Sequence, residues 1–515
     1  MRRVFIALGI IVPGMLAWVA SGASAQNLSD EAHYSWLHMQ GNLLAQEKLL
    51  KLSEIKAVDT LFVNASLVDV ANGEIQENVS ILIRDSKIEW IRDEQPELDN
   101  VQVIDAAGRF LSPGLADMHV HTHDDADYLL HLANGVTTIR EMNGWPWRLK
   151  RRTSMAAGKL LAPNMYITSQ ILNTSDFGGY AIALDTAEEA RAAVRKAAGA
   201  GYDAIKIHNG LSVEQFVAIT EESRSVGLKV VGHIPVRVSV SEAIANDLHT
   251  AEHFKGYIND ANLTISEDDW VTPSVNMATY LTPTFYSYRE HLRGTDAERV
   301  LWEDAGKVLP HRKIDWQPYL AEEEGGVLAL RQNIRPMSEE IFKTLLPHNI
   351  KWLAGTDSGG YGLMVPGEAL IEELEIMQGL GLSTADTLRS ATTSAADAMG
   401  WQHRTGQIAP GLSADLILLD KNPLETVANL KTIRAVMIRG IWLPEPEELP
   451  FTGADIEREN MIPDSDELAA MVTLAEAHEA AGYAQSSMSL ALWIALVEDL
   501  GERELAGRLR ALDRY

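Results

Sequence analysis

The sequence predicts an α/β fold: a (β/α)8 TIM barrel, a small discontinuous β-sandwich domain formed by segments before and after the barrel, and a helical C-terminal extension. Three observations lead there. From Leu115 onward, apolar strand-like runs alternate with amphipathic helical stretches, the pattern of parallel βα units. Eight such runs fall within about 250 residues, the usual size of that barrel. Short β-rich runs separated by turn residues flank this middle on both sides.

Composition narrows the possibilities first. The chain has 515 residues, 46% hydrophobic and 23% charged, which excludes disordered, collagen-like and mucin-like classes. It has no Cys, so disulfides, thiolate nucleophiles, iron–sulfur clusters and thiolate zinc sites are excluded. Any metal must be held by His, Asp, Glu or a modified side chain. The formal net charge of −28 repels phosphate backbones and anionic membrane surfaces, so no nucleic acid partner is expected.

Residues 1–25 read as a signal peptide. Arg2 and Arg3 precede an apolar run from Val4 to Ala20, and small residues follow up to a cleavage point after Ala25. A membrane anchor is the alternative, but the run is near the short limit for a span and Pro13-Gly14 interrupts it. The mature form is therefore expected in a periplasm or secreted, and not embedded in a membrane.

Residues 26–57 form an N-terminal helical segment, with apolar residues at helical spacing from Leu43 to Leu50. Residues 58–113 and 404–443 make the discontinuous β domain. Its strands are Leu61-Phe62-Val63, Ser80 to Ile83 and Ile88 to Ile91 on one side, and Asp415 to Leu419 and Ala435 to Gly440 on the other. Residues 114–403 carry the barrel, with strands ending near His121, Arg140, Ser169, Ile207, His233, His253, Thr284 and Thr356. An open doubly wound sheet is the alternative, but no Gly-rich dinucleotide turn follows the first strand. The stretch from Thr284 to Lys351 is too long for a simple connection and is expected to hold helices and a lid. Residues 444–515 form the C-terminal extension. After a linker at Glu445 to Pro450, helices are expected over Ser465 to Ala480 and Ser487 to Leu500. They would cover the barrel, shape a lid or pair with another subunit in a homo-oligomer.

The chemistry lies in the histidines. In Asp117-Met118-His119-Val120-His121 two His stand two apart on a strand, so both point to one face. His233 ends Lys229 to His233, His253 ends Thr250 to His253, and Asp357 ends Trp352 to Asp357. All strand C-termini of a (β/α)8 barrel open on one face, where its active sites lie, so these five residues would converge on a metal. Taken singly, His233 and His253 read as core histidines and Asp357 as a helix cap.

Lys206 sits on the expected fourth strand, between the His pair and His233. An ammonium about 4 Å from a divalent cation is repelled by several kcal/mol even at an effective dielectric near 20. Burial and nearby cations favour a neutral amine, which can add CO2 to become a carbamate that bridges two metals. The alternative is a lysine whose head reaches the barrel mouth or pairs with an acid.

The run Ser112-Pro113-Gly114-Leu115-Ala116-Asp117-Met118-His119-Val120-His121, the Gly135 to Arg140 strand, Lys206, His233, His253 and Gly355-Thr356-Asp357 together resemble the metal-dependent amidohydrolase superfamily, in its imidazolonepropionase-related and prolidase-like branch. Gly406 to Ile417 resembles the family's return to its β domain, and the likeness covers residues 58 to 443. It implies that His119 and His121 bind the more buried metal beside Asp357, that His233 and His253 bind the second, and that carboxylated Lys206 bridges. Family deaminases carry a Glu three residues after the fifth-strand His, where this chain has Val236. Imidazolonepropionase-like members use one metal and lack the lysine, so Lys206 favours a binuclear hydrolase.

The expected cofactors are two divalent ions, zinc by default from the ligand types, with manganese or cobalt also suited. Such a pair supplies hydroxide at neutral pH, and Asp357 would pass the water's proton to a leaving amine. The expected function is an exported binuclear hydrolase cleaving the amide bond of a dipeptide or N-acyl amino acid. The same site acting as a lactonase or esterase is the alternative, and a non-catalytic metal or ligand-binding barrel is a minor one. Arg140 would clamp a substrate carboxylate, unless it pairs with Glu141 or Asp117. His208 and Tyr257 would line the substrate pocket.

Overall fold

The computed structural model describes residues 30–513 apart from 176–180, 260–263, 267–268, 289–305, 313, 315–326, 360–363, 451–462 and 464. The signal peptide and much of the expected lid lie outside the described residues. Within them, no helix is long and apolar enough to cross a membrane.

The eight expected barrel strands are Leu115–Val120, Val136–Glu141, Asn164–Ile167, Ala204–Ile207, Lys229–Gly232, Leu248–Glu252, Tyr280–Thr282 and Lys351–Trp352. Within each of two groups, the first three and the last five, adjacent members pair in parallel. They are divided between two sheets. The first three form one, and the other five lie in a seven-stranded sheet with the short strands Leu172–Asn173 and Ile182–Ala183. Single parallel bridges, Val120 to Ser358 and Thr168 to Ala204, link the two sheets at their seams. At the first seam Met118 N donates to Ala354 O at 2.9 Å and Asp357 N to His119 O at 2.8 Å. In place of the continuous ladder expected from the strand pattern, the pairing is interrupted there because the last strand is two residues long and Asp357 turns to a φ of 62°.

The helices between strands begin where the sequence supplies caps. Thr186 with Glu189, Ser212 with Gln215 and Ser239 with Glu242 each form a capping box ahead of Ala187–Ala200, Val213–Val226 and Val240–Ala245. Each such cap contributes about 1 kcal/mol by satisfying backbone donors of the first turn. Ala190, Val194 and Ala197, at helical spacing, are the buried face of the first of these helices.

The two β-rich segments join through Leu416–Leu419, which pairs antiparallel with Phe110–Pro113. The result is one eight-stranded sheet, where two facing sheets are expected from the sequence. The segments meet edge to edge because Phe110–Pro113 has the first strand, Thr60–Asp69, on its other side. Phe62, Ile81, Leu111, Leu416 and Met437 from both segments share an apolar cluster.

The N-terminal helix runs over Asp30–Leu52, well beyond the apolar run that marks it in the sequence. Its buried Ser35, His38, Asn42 and Gln46 break the hydrophobic periodicity. It packs with Ser465–Ala480, Ser487–Asp499 and Arg503–Arg510 around Trp36, Leu43, Val472, Trp493 and Leu509.

Candidate metal centre

His119 lies on the strand Leu115–Val120 and His121 directly follows it. Their Nε2 atoms stand 3.5 and 3.4 Å from Asp357 Oδ1. One donor atom from each of the three falls within 4.8 Å of the others. The His253 ring centroid is 4.5 Å from that of His119 and 5.0 Å from that of His233. Lys206, 1% exposed, is within electrostatic reach of Asp357, His119, His233 and His253. Three of the six residues singled out from the sequence as ligands, His119, His121 and Asp357, thus present donor atoms to one point, and His253, His233 and Lys206 lie beside them.

Local sequence explains this convergence. Gly355 faces His119 so closely that a Cβ would stand 2.9 Å from its backbone nitrogen. Only glycine lets the segment leading to Asp357 approach the strand that carries His119. Asp117, buried between them, accepts from Thr356 N at 3.1 Å, Thr356 Oγ1 at 2.7 Å and His119 N at 3.2 Å. Burial pushes its carboxyl up to about 7, against those hydrogen bonds. His253, Thr284 and Asp357 all have left-handed φ, 60°, 55° and 62°. Non-glycine residues in this region cluster at functional sites, where the surroundings over-determine them.

Three histidines have one ring nitrogen fixed by the protein. His119 Nδ1 meets Glu252 Oε2 at 2.9 Å, His233 Nδ1 meets Asn209 Oδ1 at 2.6 Å and His253 Nδ1 meets Thr284 Oγ1 at 2.7 Å. In the first two the partner is an acceptor, so Nδ1 carries the proton and Nε2 keeps a lone pair. Metal-ligating histidines are oriented in this way. Burial holds the imidazoles neutral: His119 falls to about 4, with Lys206 adding to the shift, and His233 and His253 fall well below their usual value. Ligation requires that neutral form.

Burial raises the Asp357 carboxyl, but the facing His253, His121 and His119 outweigh it and hold the group well below the usual carboxylate range. Burial also lowers the Lys206 amine to about 8, partly offset by Glu252 and Asp357. Two buried atoms here have no hydrogen-bond partner among the described residues, His119 Nε2 and Lys206 Nζ. Orphaned buried donors and acceptors are costly and call for an unseen partner. A lone pair, a carboxylate and a readily neutralised amine around one space fit divalent cations.

The residues expected at the substrate are placed differently. Arg140, 1% exposed, directs Nε to Met118 O at 2.5 Å, Nη1 to Thr250 Oγ1 at 2.9 Å and Nη2 to Glu252 Oε1 at 2.8 Å. Its fork is occupied by the protein interior, which corrects the expectation of a carboxylate clamp; neither Glu141 nor Asp117 is its hydrogen-bond partner. Tyr257 is also corrected. Its hydroxyl pairs with Ser274 Oγ at 2.9 Å and its ring packs on Trp270 and Phe254 inside the apolar core. His208 does reach the site, its ring 4.0 Å from that of His233.

Sequence reasoning missed Glu252, Asn209 and Thr284, which orient the histidines. Glu252 was detectable, since Thr250 and Glu252 alternate onto one face of the strand.

The sequence model of the amidohydrolase family matches residues 110–443. An imidazolonepropionase from Psychrobacter cryohalolentis is 24% identical over 414 residues, 71% of this chain and 89% of that protein. An adenine deaminase from Listeria innocua is 39% identical over 105 residues, 19% of this chain, and the match spans only 17% of the deaminase's length. Among solved structures, a bottromycin amidohydrolase superimposes with a TM-score of 0.66 at 19% identity, covering 84% of this chain and all of that one. A Xaa-Pro dipeptidase with bound methionine in its active site gives a TM-score of 0.58 at 21% identity, covering 75% of this chain and all of that one. At such identities the likeness is one of fold.

Proposed function

Because the chain belongs to the amidohydrolase family and is a hydrolase acting on carbon–nitrogen bonds, we propose that it is an exported, binuclear enzyme cleaving the amide bond of a dipeptide or N-acyl amino acid. The observation that carries this reading is the cluster of His119, His121 and Asp357, whose donor atoms lie within 4.8 Å of one another, with the His253 and His233 rings beside it and Lys206 within electrostatic reach. The similarity of fold to a Xaa-Pro dipeptidase supports the substrate class. In this reading the two parallel sheets are the halves of a (β/α)8 barrel whose strand ends form the cup.

His119, His121 and Asp357 would hold one ion, His233 and His253 the other, with Lys206 as a carbamate between them. Bound divalent ions, zinc by default, lower the pKa of a water toward 7 and polarise the scissile carbonyl. The chain's own residues do the rest. Asp357, held below the usual carboxylate range, accepts the attacking water's proton. It returns that proton to the leaving nitrogen, so that a carboxylate and an amine depart. Glu252, Asn209 and Thr284 fix the rings throughout. The neutral Lys206 amine adds CO2 at Nζ and loses one proton, and the carbamate's charge replaces the repulsion an ammonium would exert.

The test is a panel of dipeptides, N-acyl amino acids and lactones offered to zinc-loaded protein. Turnover of an amide confined to one of the first two groups supports the proposal; turnover of lactones alone overturns it. Export is tested by N-terminal sequencing of protein recovered from the periplasm or medium, which should begin at Gln26.

A further inference from the structure

Both helical segments outside the family match, Asp30–Leu52 and the helices after Ser465, converge on one loop. That loop, Thr122 to Asp125, directly follows His121. Asn42 Nδ2 donates to Asp124 Oδ1 at 3.0 Å, and Asn42 Oδ1 accepts from Asp125 N at 2.8 Å. Gln46 Nε2 donates to Asp125 Oδ2 at 2.6 Å and Tyr483 OH to Asp125 Oδ1 at 2.6 Å. Arg151 forks onto the same carboxylate and donates Nε to Ala484 O at 3.0 Å. All of these side chains are buried.

Asp124 is held as fully. His311 Nε2 lies 3.0 Å from its Oδ1 and Arg312 Nε lies 2.9 Å from its Oδ2. His38, Asp124 and His311 present donor atoms close enough for a metal, but the tautomer argues against one. Trp493 Nε1 donates to His38 Nδ1 at 3.0 Å, so the neutral ring carries its proton on Nε2, facing Asp124. With donors from Asn42, His311 and Arg312 already on it, the carboxylate is satisfied as a structural hub.

The same loop is tied to the candidate centre from its other side. His121 N donates to Ser358 O at 2.7 Å and His123 Nε2 meets Gly359 O at 2.5 Å. Thr122 Oγ1 donates to Glu141 at 2.7 Å. The chain therefore leaves the His pair and enters, within four residues, a carboxylate gripped by three separate segments.

We propose that the terminal helices are a brace for the metal centre, in which Gln46 and Tyr483 are positioning residues that hold Asp125 and, through Thr122 to Asp124, fix the direction of His121. The inference rests on the binuclear reading above. Ligands held by a locked supporting shell bind metal more tightly than ligands free to swing.

The test uses the full-length zinc-loaded protein and a chromogenic chelator that competes for zinc, with thermal unfolding of the metal-free protein measured alongside. Tyr483→Phe combined with Gln46→Leu is expected to weaken zinc retention about tenfold, the lower end for supporting partners of metal ligands. Leu509→Ala, a core substitution in the same helical bundle away from the loop, is expected to lower the unfolding midpoint without that shift. Zinc partition equal to wild type in the double variant, or equal loss in Leu509→Ala, overturns the brace. Should the double variant not fold, Tyr483→Phe alone decides by the same comparison. If the wild-type protein itself retains no zinc, the binuclear reading falls and the brace with it, an outcome distinct from unchanged retention.

Discussion

Glu252 accepts the Nδ1 proton of His119 at 2.9 Å with one carboxylate oxygen and holds Arg140 at 2.8 Å with the other. Burial works to raise this carboxyl, yet Arg140 and His119 outweigh it and keep it ionised well below the usual range. An interior ion pair thereby sets the tautomer of a fully buried histidine of the candidate centre. Arg140, conspicuous in the sequence as a substrate clamp, acts one step further back.

Replacing Glu252 with Gln removes the charge that Arg140 faces. Stability is expected to fall by about 3 to 5 kcal/mol, as when one partner of a buried pair is lost. Zinc affinity is expected to fall by about 10-fold to 100-fold, because His119 loses its orienting carboxylate. Denaturant unfolding and chelator competition measure the two effects; an unchanged zinc affinity would remove Glu252 from the support of the site.

For Asp357→Asn, the proton acceptor disappears while the side-chain volume stays. Turnover of the amide found in the substrate panel is expected to drop by about 10²-fold to 10⁴-fold, the span of general acid–base contributions. Steady-state kinetics on metal-loaded protein decide this, and full activity would reject the proton-transfer role.

If Lys206 becomes a carbamate, metal reconstitution needs CO2. Metal-free protein given zinc in degassed buffer is expected to regain activity slowly, and added bicarbonate to speed recovery in proportion to its concentration. Lys206→Ala should bind fewer ions and show no bicarbonate dependence. Recovery at one rate with and without bicarbonate would count against the modification.

His131, on the helix Ala126–Ala133 that follows the His pair, offers a pH signature of the fold itself. It is fully buried, and neither ring nitrogen has a hydrogen-bond partner among the described residues. Burial lowers its pKa from 6.5 to about 3. The unfolded chain then binds a proton that the folded one refuses, so this contribution is whole above pH 6.5 and is lost as pH falls toward 3. The expected slope is about 1.4 kcal/mol per pH unit. His131→Leu should flatten the acid limb of stability measured by urea unfolding between pH 7.5 and 4, whereas parallel curves for the two proteins would contradict the assignment.

Much of this was legible because strand ends carry chemistry and strand interiors carry alternation. Seven of the eight strands end within two residues of where the apolar runs place them, the last stopping at Trp352 short of the expected Thr356, and His119, His121, His233, His253 and Asp357 stand out as polar groups ending apolar runs. Lys206 stands out for a different reason, a cation inside a strand with no partner in view. What stayed hidden depends on long-range contacts. Arg140 and Tyr257 read as site residues by position, but the groups that engage them, Glu252 and Ser274, lie 112 and 17 residues away. The N-terminal helical segment was legible from its apolar spacing, but the role of His38, Asn42 and Gln46 was not, because their partners are the buried carboxylates of Asp124 and Asp125.

The central claim is that six side chains hold two cations, and anomalous X-ray scattering at the zinc edge from crystals of zinc-loaded protein tests it most directly. The expected map has two peaks about 3.5 to 4 Å apart, one beside His119, His121 and Asp357 and the other beside His233 and His253, with continuous density beyond Lys206 Nζ between them. A map with no peak among these residues, or with both peaks elsewhere on the protein, would contradict it.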